Sequence, residues 1–163
     1  MRRGRSLLMA VTLVLAGATT AGADATVFIG ASTTPDSRRV QGISAGAGLL
    51  LFAFELEYAS TAQSDNPGDT PAPALKTGMA NVVVQAPFAI FGFQPYATAG
   101  GGVFKETLGR REETGFGSNV GGGVKISLAG PLRLRIDYRV FRLGSDALYS
   151  PAHRFYAGLN LRF

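Results

Sequence analysis

The sequence predicts an all-β fold: an eight-stranded antiparallel up-and-down barrel that crosses a membrane with strands and follows a cleaved N-terminal signal peptide. Three observations carry the prediction. The chain opens on a basic, then apolar, then small-residue segment of the kind that directs export and is removed. The rest of the 163 residues alternates apolar and polar positions with period two, the period of a half-buried strand. After the opening segment there is no run of 18 apolar residues from which a spanning helix could be built.

Residues 1–23 read as the signal. Arg2, Arg3 and Arg5 are its basic start, and Leu7 to Ala16 its apolar stretch. A helix of that length covers about 15 Å, half of the ~30 Å hydrocarbon thickness, so it is too short for an anchor. Ala21-Gly22-Ala23 offers a small-x-small cleavage site, and Ala23-Asp24-Ala25 a second one. The expected mature domain is 24–163. Its net charge is +2 rather than the +5 of the whole chain, which removes the support for nucleic-acid binding. Charged residues are only 17%, against the usual ~25%. Zero Cys excludes disulfides, thiolate metal sites, Cys nucleophiles and an acylated lipoprotein anchor. The single His excludes a His-based metal site, and no cofactor is expected.

The strands follow in order. Thr26 to Ser32 opens the barrel. In the second, Ile43, Ala45, Ala47 and Leu49 oppose Gly42, Ser44, Gly46 and Gly48. In the third, Phe54, Leu56 and Tyr58 alternate with Glu55, Glu57 and Ala59. In the fourth, Ala80, Val82, Val84 and Ala86 oppose Met79, Asn81, Val83 and Gln85; in the fifth, Phe93, Ala97, Ala99 and Val103 oppose Gln94, Thr98, Gly100, Gly102 and Glu106. Phe116 to Leu128 is the sixth. The seventh is the clearest, with Leu132, Leu134, Ile136, Tyr138 and Val140 against Arg133, Arg135, Asp137 and Arg139. Arg154 to Phe163 is the eighth.

The connections alternate in length. Thr33–Arg39, Thr61–Leu75, Lys105–Gly115 and Arg142–His153 are long. Those near Leu50-Leu51, at Pro87–Ile90 and at Ala129–Pro131 are short. Long loops therefore gather at one end and tight turns at the other, as in barrels of the bacterial outer membrane.

Alternation alone does not say which face meets lipid. The polar face is rich in glycine, which makes room for long charged side chains in a lumen only wide enough for its own residues. That face carries both signs: Glu55, Glu57 and Asp137 can pair there with Lys125, Arg133, Arg135, Arg139 and Arg162. Tyr58, Phe93, Phe104, Phe116, Phe155 and Phe163 lie near strand ends, where interfacial girdles form.

The C-terminus carries a resemblance. Tyr156, Gly158, Leu161 and the terminal Phe163 are similar to the signature read by the outer-membrane barrel assembly machinery. With the signal and eight strands, residues 24–163 resemble the small outer-membrane β-barrel proteins of the OmpA-like/OmpX-like type. The resemblance implies an outer-membrane location, assembly by that machinery, outer-membrane lipids as surroundings, and a structural or surface-interaction role rather than an enzymatic one.

The lumenal charges read either as an ion path or as a salt-bridged plug. Eight strands leave no open channel and buried charges must pair, which favours the plug. Arg38-Arg39 and Arg110-Arg111, on expected extracellular loops, are placed to meet lipopolysaccharide phosphates. His153 with Ser150 and Asp146 invites a hydrolase reading, but there is no nucleophile-elbow pattern around them. The glycine runs lack the strand–loop–helix context of a phosphate loop. The competing readings are a periplasmic lipocalin-like barrel with an apolar ligand inside, and a narrow pore. A monomer is expected.

Overall fold

The structure, a computed structural model, describes residues 22–64, 71–145 and 147–163. The expected signal lies outside these residues except for Gly22 and Ala23. Eight strands run in chain order: β1 (Gly22–Ser32), β2 (Arg38–Leu49), β3 (Phe52–Thr61), β4 (Ala74–Gln85), β5 (Phe93–Leu108), β6 (Arg111–Ala129), β7 (Leu132–Leu143) and β8 (Ala152–Arg162). Each pairs antiparallel with the next, and β8 returns to β1 to close the barrel. Closure leaves no edge, and lipid has no partners to offer one.

The register sets the shape. From Leu132 on β7 the paired residues run through Leu161, Ala25, Ala45, Leu56, Ala80, Gly101 and Ser118 and arrive back on β7 at Arg142. One circuit therefore climbs ten residues, the stagger that goes with a strand tilt of roughly 35–45°.

Burial assigns the faces. Arg135 and Arg139 are 0% exposed, whereas Phe54 is 73% and Phe116 80% exposed. In water this arrangement would be inside out; in lipid it is the favourable one. All of the glycines expected on the polar face point into the lumen, where Gly123 lies so close to β7 that a Cβ would strike the Ile136 carbonyl oxygen and the Tyr96 hydroxyl.

The lumen is not polar throughout. Leu75, Met79, Phe104, Phe141, Leu143 and Ala152 form an apolar cap at the long-loop end. Phe104 thus belongs to the interior and not to an interfacial girdle. It sits among the inward positions of β5, in line with Gly100, Gly102 and Glu106, so parity rather than nearness to a strand end decides its side. Below the cap Phe28 stacks on Tyr156 at 4.1 Å between ring centroids.

Two connections differ from expectation. Lys105–Gly115 is not a long loop. The strands continue to Leu108 and Arg111 and close through Gly109-Arg110. This hairpin carries polar residues on both faces, so its composition reads as a loop although its backbone is paired. β2 likewise begins at Arg38, inside the link expected to reach Arg39. At the opposite end, Leu50 and Phe91 hold φ of 47° and 50°. The left-handed region costs a residue with a side chain about 1–2 kcal/mol.

Candidate functional site

The middle of the lumen holds a charge-balanced network. Positions two apart on a strand share a face, so β3 points Glu55 and Glu57 inward, β7 Arg135, Asp137 and Arg139, and β8 Arg154 and Tyr156. Arg139 is the hub: its Nη2 donates to Glu55 Oε1 at 2.8 Å, its Nε to Asp137 Oδ1 at 2.9 Å, and its Nη1 lies 3.0 Å from Glu57 Oε2. Arg135 pairs with Glu55, and with Asp137 Oδ2 at 3.1 Å. Arg154 Nη1 donates to Glu57 Oε1 at 3.0 Å. The Tyr96 hydroxyl donates to Asp137 and accepts from Arg135 Nε at 2.7 Å. Three guanidinium groups thus meet three carboxylates, and neutral side chains take up some of the remaining valences, while Arg154 Nε and Asn119 Oδ1 are buried without a hydrogen-bond partner. Ser44 Oγ donates to Glu55 at 3.2 Å and Asn119 Nδ2 to Asn81 Oδ1 at 2.8 Å. Taking two charges out of water is repaid only by such geometry.

A second layer lies toward the short-turn end. Lys125 Nζ is 2.5 Å from Asp24 Oδ2, and Arg133 Nη2 is 3.3 Å from the same oxygen. Arg133 also donates to Gln94 Oε1 at 2.8 Å and Asn160 Oδ1 at 2.9 Å. Lys125 and Arg133 were expected to pair with Glu55, Glu57 or Asp137. The stagger of the barrel puts those carboxylates a layer higher and supplies Asp24 instead. Arg162, also expected in the cluster, is exposed at the mouth beside Gly22 and makes no ion pair among the described residues; it is the last inward position of β8, where the lumen opens. Sequence reasoning missed Asp24, Arg154 and Tyr96 as members. Arg154 was visible, since it shares the inward parity of Tyr156, Gly158 and Asn160.

The basic loop pairs separate. Arg38 is buried, and its guanidinium ties the Thr34 carbonyl at 2.8 Å to the Pro73 carbonyl of another link. It is therefore a strut inside the barrel mouth, not a surface residue, because β2 starts with it on the inward side. Arg39 faces out. Arg110 is at the hairpin tip, and Arg111 bonds Glu113 at 3.1 Å. The outward rows of β2, β4, β5, β7 and β8 reach Arg39, Lys76, Lys105, Arg142 and His153 at nearly one height; they are apolar below these residues except for Gln41 on β2. Lys76 and Lys105 are direct cross-strand partners, and Lys105 Nζ reaches Glu112 at 2.9 Å. His153 Nδ1 is bonded to the Tyr138 hydroxyl at 2.7 Å, whereas Ser150 Oγ is engaged with the Leu143 backbone; Asp146 lies outside the described residues.

In the C-terminal segment Tyr156 and Gly158 face the lumen, and Leu161 and Phe163 face out. Phe163 exchanges backbone bonds with Ala23, at 2.9 and 3.2 Å.

The family model described as the outer membrane protein beta-barrel domain matches residues 6–163. No curated protein matches the chain. The N-terminal β-barrel domain of OprF from Pseudomonas aeruginosa superposes with a TM-score of 0.65 at 15% identity, covering 87% of this chain and 97% of that one. Neisserial surface protein A gives 0.64 at 20% identity, covering 88% and 96%. Ail, the attachment invasion locus protein of Yersinia pestis, gives 0.55 at 12% identity, covering 88% and 99%. Ail is also solved with the heparin analogue sucrose octasulfate. At these identities the likeness is one of fold.

Proposed function

The chain belongs to the outer membrane protein β-barrel domain family, and from that premise we propose that it is a barrel of the bacterial outer membrane with a plugged lumen, acting through its outer surface and extracellular loops rather than as a conduit. The observation that carries this reading is the network around Arg139. Charges that cancel inside a narrow lumen bind each other, and the apolar cap above them offers an ion nothing to replace its water. The test is conductance of the purified protein in planar bilayers. Absence of stable single-channel steps is expected; persistent steps would overturn the plug.

Residues 1–23 serve in this reading as the export signal and 24–163 as the mature barrel. Tyr156, Gly158, Leu161 and Phe163 are the segment offered to the assembly machinery, and single-chain closure supports a monomer. In this reading the role is non-enzymatic, which is supported by the engagement of His153 and Ser150 with different partners.

The outer-leaflet partner is lipopolysaccharide. Arg39, Lys76, Lys105 and Arg142 stand where the lipid-facing rows end, the height of the lipid phosphates, with Arg110 and Arg111 above them on the hairpin. Two lysines placed opposite each other repel, and a shared phosphate relieves that repulsion. The polyanion held by Ail is consistent with such chemistry on a barrel of this fold.

A further inference from the structure

Among the described residues, the end of the barrel away from the basic rim carries no charged residue on its outward rows, and its turns are apolar. Between β2 and β3 the turn is Leu50-Leu51, with Leu50 71% exposed. Between β4 and β5 it presents Phe88, Ile90 and Phe91, with Phe91 97% exposed. Turns that face water are built from Gly, Asn, Asp and Ser, whose backbones suit tight reversals. These are built from Leu and Phe, although Leu50 and Phe91 stand at the left-handed φ that favours glycine. The chain does place glycine there in its other tight turns, at Gly109 and Gly130. Two bulky apolar residues are therefore held at strained tips, Leu50 mostly exposed and Phe91 almost free of protein contact.

Height says what they meet. Below Arg142 the outward row of β7 is apolar down to Leu132, ten residues away. At about 3.3 Å per residue and a tilt near 40°, that is roughly 25 Å, the height of a barrel's apolar band. The same count down from Arg39 reaches Leu49, and down from Lys76 it reaches Ala86. The band that begins under the cationic rim thus ends at the turns themselves, continuous with the lipid-facing rows.

We propose that the 50–52 and 88–93 turns are seated in the inner leaflet of the outer membrane, among lipid acyl chains, while the cationic rim holds the opposite end at the outer phosphate plane. The barrel is thereby fixed in depth by a charged upper stop and an apolar lower one. This rests on the membrane assignment and not on which lipid the rim binds.

The chain has no Trp, so one introduced Trp reports alone. Phe91→Trp is refolded into phosphatidylcholine vesicles, and insertion is verified by the mobility shift between unboiled and boiled samples. Expected is a blue-shifted emission that loses most of its intensity when the acyl chains are brominated and is shielded from aqueous iodide. Arg110→Trp, at the hairpin tip, is the control and should show the reverse. If Phe91→Trp does not insert, Leu50→Trp replaces it on the other turn. An inserted barrel with water-like emission, quenched by iodide and not by bromine, overturns the proposal. So does a blue shift that develops only when periplasmic extract is added, which would make the occupant a protein.

Discussion

Arg139 on β7 and Glu55 on β3 meet across the lumen, Nη2 to Oε1 at 2.8 Å, although their strands share no backbone pairing. The contact joins opposite walls of the barrel. Both groups are shut off from water, so the pair is held by mutual need as much as by attraction: either charge alone would be stranded in a medium that cannot solvate it.

Glu55→Ala leaves both Arg135 and Arg139 short of a carboxylate. A loss of about 3–5 kcal/mol is expected, read as a lower urea midpoint for the conversion of the fast-migrating folded band to the slow one. A loss below about 1 kcal/mol would mean that water reaches the network and solvates the freed guanidinium groups.

Asp24→Asn removes the carboxylate shared by Lys125 and Arg133. This layer lies at the lumen mouth, where water can replace part of the contact. The same unfolding measurement should give a smaller loss than Glu55→Ala, about 1.5–3 kcal/mol.

The same contact separates the two cleavage positions open in the sequence. A cut after Ala23 keeps Asp24 and its two cations satisfied; a cut after Ala25 removes it. The intact mass of protein recovered from the outer membrane should correspond to residues 24–163. A chain starting at Thr26 would show that Lys125 is satisfied in another way.

Phe104→Ala should cost about 3–5 kcal/mol, because the emptied space in the apolar cap cannot collapse onto rigid strands. Phe116→Ala, on the lipid face of the neighbouring strand, should cost less, because acyl chains flow into the gap. Equal losses in the urea assay would show that the cap is not packed.

Lys76→Glu together with Lys105→Glu should weaken retention on immobilised lipopolysaccharide roughly tenfold or more, taking about 1 kcal/mol for each basic residue near an anionic surface. Reversal of Arg110 and Arg111 should act in the same direction. Both differences should shrink at high salt. Unchanged retention in the rim variant would remove the lipid-phosphate role.

What the amino-acid order determined by itself is what depends on neighbours along the chain. Period-two alternation set the eight strands and sorted each residue to one of two faces, from Leu132 against Arg133 on β7 to Leu161 against Arg162 on β8. Turn composition located most reversals. It misled at the β5–β6 hairpin, where polar residues on both faces resemble a loop yet pair fully, and at Arg38, which opens a strand from its buried side. The tertiary structure decided the rest. Closure assigned the charged face to the interior, because only a closed sheet has an inside. The ten-residue stagger then selected the partners: it set Glu55 against Arg139, Lys125 against Asp24 and Phe104 beneath the loops. Those residues lie far apart in sequence, and no local pattern encodes the angle at which eight tilted strands meet. Coulomb and packing energies act over a few ångströms in space, so the chemistry of the lumen existed only once the barrel had closed.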